Sequence, residues 1–185
     1  MKKGKLIVIS GCSGVGKSTV LGQVMGRRDA LRFSVSATTR APRPGEVDGE
    51  SYYFVTKETF LEMIEKGEFL EYDAHMGNYY GTPKGQLGEK LQIGSVVLDI
   101  EPNGAFAVRK AWPEAVLIFI VPPSLEELER RLRSRGDTSP EQIETRLARA
   151  KWEMEQSAKY DYVVVNEQVD TCTDEILKII AQVAD

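Results

Sequence analysis

Gly11-Cys12-Ser13-Gly14-Val15-Gly16-Lys17-Ser18 has the spacing G-x-x-x-x-G-K-[ST]. Glycine-rich backbone in such a run can turn successive N–H groups toward one anion, and a helix N-terminus behind it adds a favourable dipole. Lys17 would then reach the β- and γ-phosphates of a nucleoside triphosphate, and the Ser18 hydroxyl would ligate Mg²⁺. The motif needs a buried strand before it and a helix after it. Leu6-Ile7-Val8-Ile9-Ser10 reads as the strand, and a helical segment runs from about Lys17 to Arg28. The loop points to a triphosphate with Mg²⁺ and leaves the acceptor open: GTPase, ATPase motor and small-molecule kinase all use it.

A second group of chemically able residues follows. Arg40 and Arg43 lie three apart in a polar loop, Ser36-Ala37-Thr38-Thr39-Arg40-Ala41-Pro42-Arg43-Pro44-Gly45-Glu46. Planar guanidinium groups grip phosphate oxygens through paired hydrogen bonds, so two near one spot suit a phosphate monoester. The plainer alternative is a solvated basic loop. Glu68-Phe69-Leu70-Glu71-Tyr72 and Gly77-Asn78-Tyr79-Tyr80-Gly81-Thr82-Pro83 add a carboxylate, hydroxyls and flat aromatic faces. Ordinary sheet packing accounts for those aromatics equally well.

Further strands must position these groups. Val96-Val97-Leu98-Asp99-Ile100, Val116-Leu117-Ile118-Phe119-Ile120-Val121 and Tyr162-Val163-Val164-Val165 read as strands separated by helical stretches. Alternating strands and helices predict an α/β fold: a parallel sheet flanked by helices on both faces. Ser124-Leu125-Glu126-Glu127 and Ser139-Pro140-Glu141-Gln142 fit capping boxes, the second with proline at the first helical position. From about Asp170 to Val183, residues Ile176, Ile179, Ile180 and Val183 share one helical face. The stretch from about 34 to 84 is polar and rich in Gly, Pro and Tyr. It reads as a mostly β insertion with one helix near Lys57 to Glu65.

Composition bounds the partners. The chain has 185 residues with 42% hydrophobic and 28% charged side chains, which suits one α/β domain. Its net charge of −4 argues against a nucleic-acid partner. Cys12 and Cys172 stand far apart without metal-ligand spacing. The apolar run Leu6 to Ile9 is too short for a signal-peptide core or a membrane span, so the expected location is the cytoplasm.

Ser36-x-x-x-Arg40-x-x-Arg43-x-Gly45-Glu46, Gly77-Asn78-Tyr79-Tyr80-Gly81-Thr82, Leu98-Asp99-Ile100 and Val165-Asn166 resemble the signature blocks of the guanylate kinase family, in order and spacing, from Lys5 to the last helix. The resemblance implies a P-loop NTPase-type core (1–33, 85–126 and 151–185), a small mixed β/α GMP-binding insertion (about 34–84) and a helical lid (about 127–150). It implies transfer of the γ-phosphoryl group of ATP to GMP, and to dGMP too, in purine nucleotide metabolism, with Mg²⁺ and no protein partner required. ATP would lie on Gly11 to Ser18, with Thr19 and Asn166 beside it. Arg40, Arg43, Tyr52 and Tyr80 would hold the GMP phosphate. Ser36, Glu71 and Thr82 would read the guanine, with Asp99 and Glu101.

Elementary chemistry agrees with those roles. Guanine presents N1–H and an exocyclic NH₂ side by side, and one carboxylate such as Glu71 can accept both; adenine has no N1–H. A site built on such pairing discriminates by about 10⁴ or more. Asp99 has two roles open to it, contact with guanine or orientation of Mg²⁺ through water. The chain departs from the family at Glu101 (usually aspartate), Asn103 (usually glutamine) and Cys12 (commonly proline). A free thiol at Cys12 raises the expectation that its oxidation or alkylation blocks ATP binding.

Arg131 and Arg135 are four apart, and Arg146 and Arg149 three apart, so each pair can share a helix face. Solvated faces with acidic partners such as Glu127 and Glu144 are one reading of them. The resemblance implies the other, in which Arg131, Arg135 and Arg146 close over the polyphosphate and assist Lys17 in neutralising transition-state charge. The GMP phosphate oxygen is already an ionised nucleophile, so His75 is expected to be structural or superficial rather than catalytic. Water must be excluded, which predicts closure of insertion and lid on binding substrates. Competing readings are a non-catalytic guanylate-kinase-like binding module, a kinase for another small phosphate monoester, and a regulatory GTPase.

Overall fold

The computed structural model describes residues 4–75, 77–134 and 139–184. In chain order the first elements are β1 (Leu6–Gly11), α1 (Lys17–Gly26), β2 (Leu31–Phe33), β3 (Ala37–Thr38), β4 (Tyr53–Phe54) and α2 (Lys57–Glu65). Next come β5 (Phe69–His75), β6 (Asn78–Pro83), α3 (Leu87–Ile93), β7 (Ser95–Asp99) and α4 (Pro102–Ala111). The chain ends with β8 (Val116–Val121), α5 (Leu125–Ser134), α6 (Pro140–Gln156), a 3₁₀ turn at Ser157–Lys159, β9 (Tyr162–Val165) and α7 (Val169–Ala184). A parallel five-stranded sheet runs in the order β2-β7-β1-β8-β9, and a second sheet in the order β4-β3-β6-β5. The α/β class read from alternating runs is the class observed. The chain forms two compact units, Met1–Leu6 with Ala30–Ala115, and Ile7–Asp29 with Val116–Asp185.

In the first unit β2 pairs in parallel with β7, Leu31 opposite Ser95. β2 has three residues with Arg32 at its centre, which is why no apolar run announces it. The helix expected near Lys57 to Glu65 is present with those bounds, and its start is set by Thr56, whose hydroxyl accepts the Thr59 N–H at 3.2 Å. Phe60 of α2 is fully buried and stacks on Phe69 of β5, ring centroids 4.4 Å apart. With Ala37 these residues form the core beneath the small sheet, and Tyr79 packs against it. β3 to β6 with α2 therefore form a sheet with a helix on its apolar face. Pro102 at the first turn of α4 suits a helix start, and α4 packs on β5.

In the second unit β1 pairs with β8, and β8 with β9, both in parallel. Ile7 to Ile9 and Leu117 to Ile120 are completely buried, as a run covered on both faces requires. β9 differs. Val164 is buried while Val163 and Val165 are 46% and 48% exposed, because β9 is the last strand of its sheet. Ile176, Ile179 and Ile180 are buried along α7, as their spacing predicts. The Ser139 capping box is complete in both directions. At Ser124 the hydroxyl accepts the Glu127 N–H at 3.1 Å, whereas the Glu127 carboxylate takes hydrogen bonds from Arg130 and Arg131.

Candidate active site

β1 delivers the backbone at Gly11 and α1 begins at Lys17, so the motif from Gly11 to Ser18 lies between a strand and a helix, the frame that a phosphate loop requires. The Val15 N–H donates to Cys12 O at 3.1 Å and closes a turn over Ser13 and Gly14. Gly14 has φ 85°, and a Cβ there would sit 2.6 Å from Leu132 Cδ2 of α5, so both conformation and space demand glycine. The loop is also held by side chains behind it. Asn166 Nδ2 donates to Val15 O at 2.8 Å, and the Ser13 N–H donates to Glu153 Oε2 at 2.9 Å. Lys17 is half-buried; Ser18 and Thr19 are exposed at the start of α1. Cys12 is only 2% exposed and contributes its carbonyl to the turn, so its thiol is enclosed.

Gly14, Gly16, Thr19, Arg131, Asn166 and Val169 line one cleft. Asn166 is buried, and its Oδ1 has no hydrogen-bond partner among the described residues. Arg131 enters from α5, where its Nε donates to Glu127 Oε1 at 2.8 Å and its Nη1 to Asn166 O at 2.9 Å. Hydrogen bonds from Arg130 and then Arg131 pull the Glu127 carboxyl down to about 2. Arg146 lies half-buried on α6, and Arg149 donates through Nε to Glu153 Oε1 at 2.6 Å. Arg135, of the expected lid set, and the side chain of His75 lie outside the described residues.

The expected acceptor residues fall in the first unit. Arg40 donates through Nη2 to Glu46 Oε1 at 2.7 Å, and its guanidinium lies 5.5 Å from the Tyr52 ring centroid. Tyr52 and Tyr80 meet edge to face at 6.1 Å, and Tyr80 also hydrogen-bonds Arg40. Arg43 joins the group through its backbone N–H, which donates to Glu46 Oε2 at 2.7 Å, and its side chain is exposed. Arg40, Tyr52 and Tyr80 are thus gathered at one place, with Glu46 clamping both arginine positions. The hydrogen bond from Arg40 holds the Glu46 carboxyl below the usual range.

Glu71 on β5 faces Thr82 on β6 across the antiparallel ladder. Thr82 Oγ1 donates to Glu71 Oε1 at 2.6 Å, and both side chains are buried. Burial raises the Glu71 carboxyl to about 7 against the opposing pull of the Thr82 hydrogen bond. Ser36 is buried at the entry to β3. Asp99 ends β7 and Glu101 is the N-cap of α4, both half-buried. Asn103, one of the departures from the family pattern, donates to Asp73 Oδ2 at 3.1 Å. Three organising residues escaped the sequence reading as site residues: Glu46, Glu153 and Gly104, whose α-carbon faces the Glu71 carboxylate. Glu46 stood in the quoted signature; for Glu153 and Gly104 nothing local marks the role.

Among the described residues no helix is long and apolar enough to cross a membrane, and no group of three His, Cys, Asp or Glu side chains could hold a metal by itself.

The guanylate kinase family model matches residues 3–183. A guanylate kinase of Prochlorococcus marinus subsp. pastoris is 48% identical over 177 residues, spanning 95% of this chain and 96% of that one. A guanylate kinase of Clostridioides difficile is 49% identical over 182 residues, 98% of this chain and 89% of its own. The crystal structure of guanylate kinase from Anaplasma phagocytophilum superposes with a TM-score of 0.82 at 36% identity, covering 98% of this chain and 87% of that one. With the motif from Gly11 to Ser18 set between strand and helix in one unit, a buried carboxylate and an arginine–tyrosine cluster in the other, and this likeness extending over nearly the whole chain, the chain belongs to the guanylate kinase family.

Proposed function

We propose that this chain transfers the γ-phosphoryl group of ATP to GMP, giving ADP and GDP. The observation that carries the choice of acceptor is the Glu71–Thr82 pair. A carboxylate kept from water at 6% exposure gains most from a ligand that offers two adjacent N–H donors, and guanine does so through N1–H and NH₂. Ser36, also buried, would donate to guanine O6, with Asp99 and Glu101 as further polar groups on the same unit. Arg40, Arg43, Tyr52 and Tyr80 would take the monoester phosphate, the guanidinium of Arg40 already held by Glu46 and two hydroxylated rings.

For the donor, the orphaned Asn166 Oδ1 is an acceptor in want of a donor, and the adenine amino group is one. The loop from Gly11 to Ser18 would cradle the phosphates, with Thr19 beside it. Mg²⁺ is usually held by one or two side chains together with substrate phosphates rather than by a protein cage, and the exposed Ser18 hydroxyl fits that need. Bound there, the ion would supply charge neutralisation. Lys17 and the lid arginines Arg131 and Arg146, with Arg135, would stabilise charge on the transferring group. The phosphate oxygen of GMP needs no general base. The segment 127–150 would serve as the lid and 34–84 as the acceptor-binding insertion on the core.

The test is ADP formation from ATP and Mg²⁺ against GMP, dGMP, AMP, CMP and UMP. Strong turnover with GMP, little with AMP, and loss in Glu71→Gln are expected. Folded protein that turns over none of the five overturns the reading.

A further inference from the structure

Glu153 is a glutamate with no exposed surface, on a helix whose neighbouring Trp152 is 42% exposed. Acidic side chains are almost never so buried unless paired, and both oxygens of this one accept hydrogen bonds. Its Oε1 accepts from Arg149 Nε at 2.6 Å, and its Oε2 accepts from the backbone N–H of Ser13 at 2.9 Å. Ser13 opens the turn that the Val15 N–H closes on Cys12 O, so the N–H taken by Glu153 lies outside that ring of hydrogen bonds. An N–H turned toward a fully buried carboxylate is satisfied only by such an acceptor, and losing it would leave the turn less well held. The carboxylate reaches it from α6, a helix far along the chain.

The same face of α6 carries Arg146. Residues 146, 149 and 153 are spaced by three and four, so one ridge of the helix holds a lid arginine at one end and the phosphate-loop anchor at the other. Asn166 grips the loop at Val15 O and Leu132 packs against Gly14, but neither belongs to the helix that bears Arg146.

We infer that Glu153 is a positioning residue for the donor nucleotide: through the Ser13 N–H it sets the phosphate loop against α6, so that the loop and the lid arginine Arg146 are held in one register. The inference rests on the donor site proposed above. It asks for reach more than for charge. Glutamine keeps an acceptor oxygen at the same length, whereas aspartate keeps the charge and falls one methylene short of Ser13.

Glu153→Asp and Glu153→Gln should be compared with the unaltered chain by MgADP calorimetry and by steady-state kinetics. In Glu153→Asp the dissociation constant of MgADP and the KM for ATP are expected to rise about 10-fold, the loss of one buried hydrogen bond, while the KM for GMP stays within about twofold. In Glu153→Gln the ATP values are expected to return to within about threefold of the unaltered chain, even if the melting temperature falls with the lost ion pair. Donor values unchanged in Glu153→Asp, equal losses for both substrates, or a tenfold donor loss in Glu153→Gln would each overturn the inference. If Glu153→Asp fails to fold, Glu153→Met, which keeps the length and offers no oxygen to Ser13, takes its place with the same expected donor loss of about tenfold and the same overturning result. MgADP binding is read without GMP, so absence of GMP-dependent turnover in the unaltered chain would strike at the proposed reaction and leave this measurement intact.

Discussion

Thr82 donates to Glu71 at 2.6 Å inside a buried β-ladder, and that single hydroxyl does not bring the carboxyl back to its ordinary range. The carboxyl binds its proton more tightly folded than unfolded, between about 4.5 and about 7. The native state therefore holds more protons in that window, and stability falls as pH rises through it. Glu71→Gln removes the buried charge at high pH. It should stabilise the nucleotide-free protein by roughly 2–3 kcal/mol at pH 8 and by little at pH 4.5, read by denaturant unfolding. Equal stability at pH 8 would show that Glu71 is not held at a cost.

The same proton bears on the acceptor. On the proposed contact the guanine donors need the ionised carboxylate, so at pH 6 GMP would displace a proton that is mostly gone at pH 8. The KM for GMP should fall by up to about 10-fold between those pH values. Glu71→Gln should flatten the part of the profile that the GMP phosphate itself does not explain. Parallel profiles in the two proteins would remove Glu71 from guanine recognition.

Gly104 lies where a Cβ would approach Glu71 Oε2 to 2.6 Å. Gly104→Ala should push the carboxylate off Thr82 and raise the KM for GMP by roughly 10-fold, with the ATP value unchanged. The helix gains from alanine, so melting temperature need not fall. An unaltered GMP value would mean that Glu71 can shift freely.

Glu46 clamps Arg40 by its side chain and Arg43 by its backbone. Glu46→Ala should leave both arginines unguided. A rise of about 10-fold in the KM for GMP, smaller for guanosine used as a competitive inhibitor, would place the loss at the phosphate.

Where the sequence was legible, the reason is that local pattern and tertiary need coincide. Leu6 to Ile9 and Leu117 to Ile120 are apolar because both faces are covered, and they read as strands for that cause. The phosphate loop was readable because its conformation demands particular residues in a fixed row. β2 was not readable, since three residues with a central arginine carry no period. The surroundings of Glu153 carry a pattern opposed to its burial. Within Lys151-Trp152-Glu153-Met154-Glu155 a helix reader would bury the tryptophan and expose the glutamate, and the structure does the reverse. That inversion is decided by Ser13, whose backbone N–H lies 140 residues away. Gly104 is equally silent, because the oxygen it makes room for belongs to β5. Glu127 shows a third case: a capping position fixed by local spacing, whose carboxylate is drawn off by two arginines on its own helix.

The loop from Gly11 to Ser18 leaves the ribosome well before Leu128, Leu132, Glu153 and Asn166, which hold its turn from behind and all belong to the part of its unit that begins at Val116. Ala30–Ala115 must be synthesised in between, and the ends of that long segment must meet before the turn gains its supports. A nascent chain halted at Ala115 carries the whole motif and none of these four partners. Nucleotide retention by stalled ribosome complexes should therefore begin only once the residues past Asn166 have cleared the exit tunnel, so a motif made before its supports waits for them to become competent.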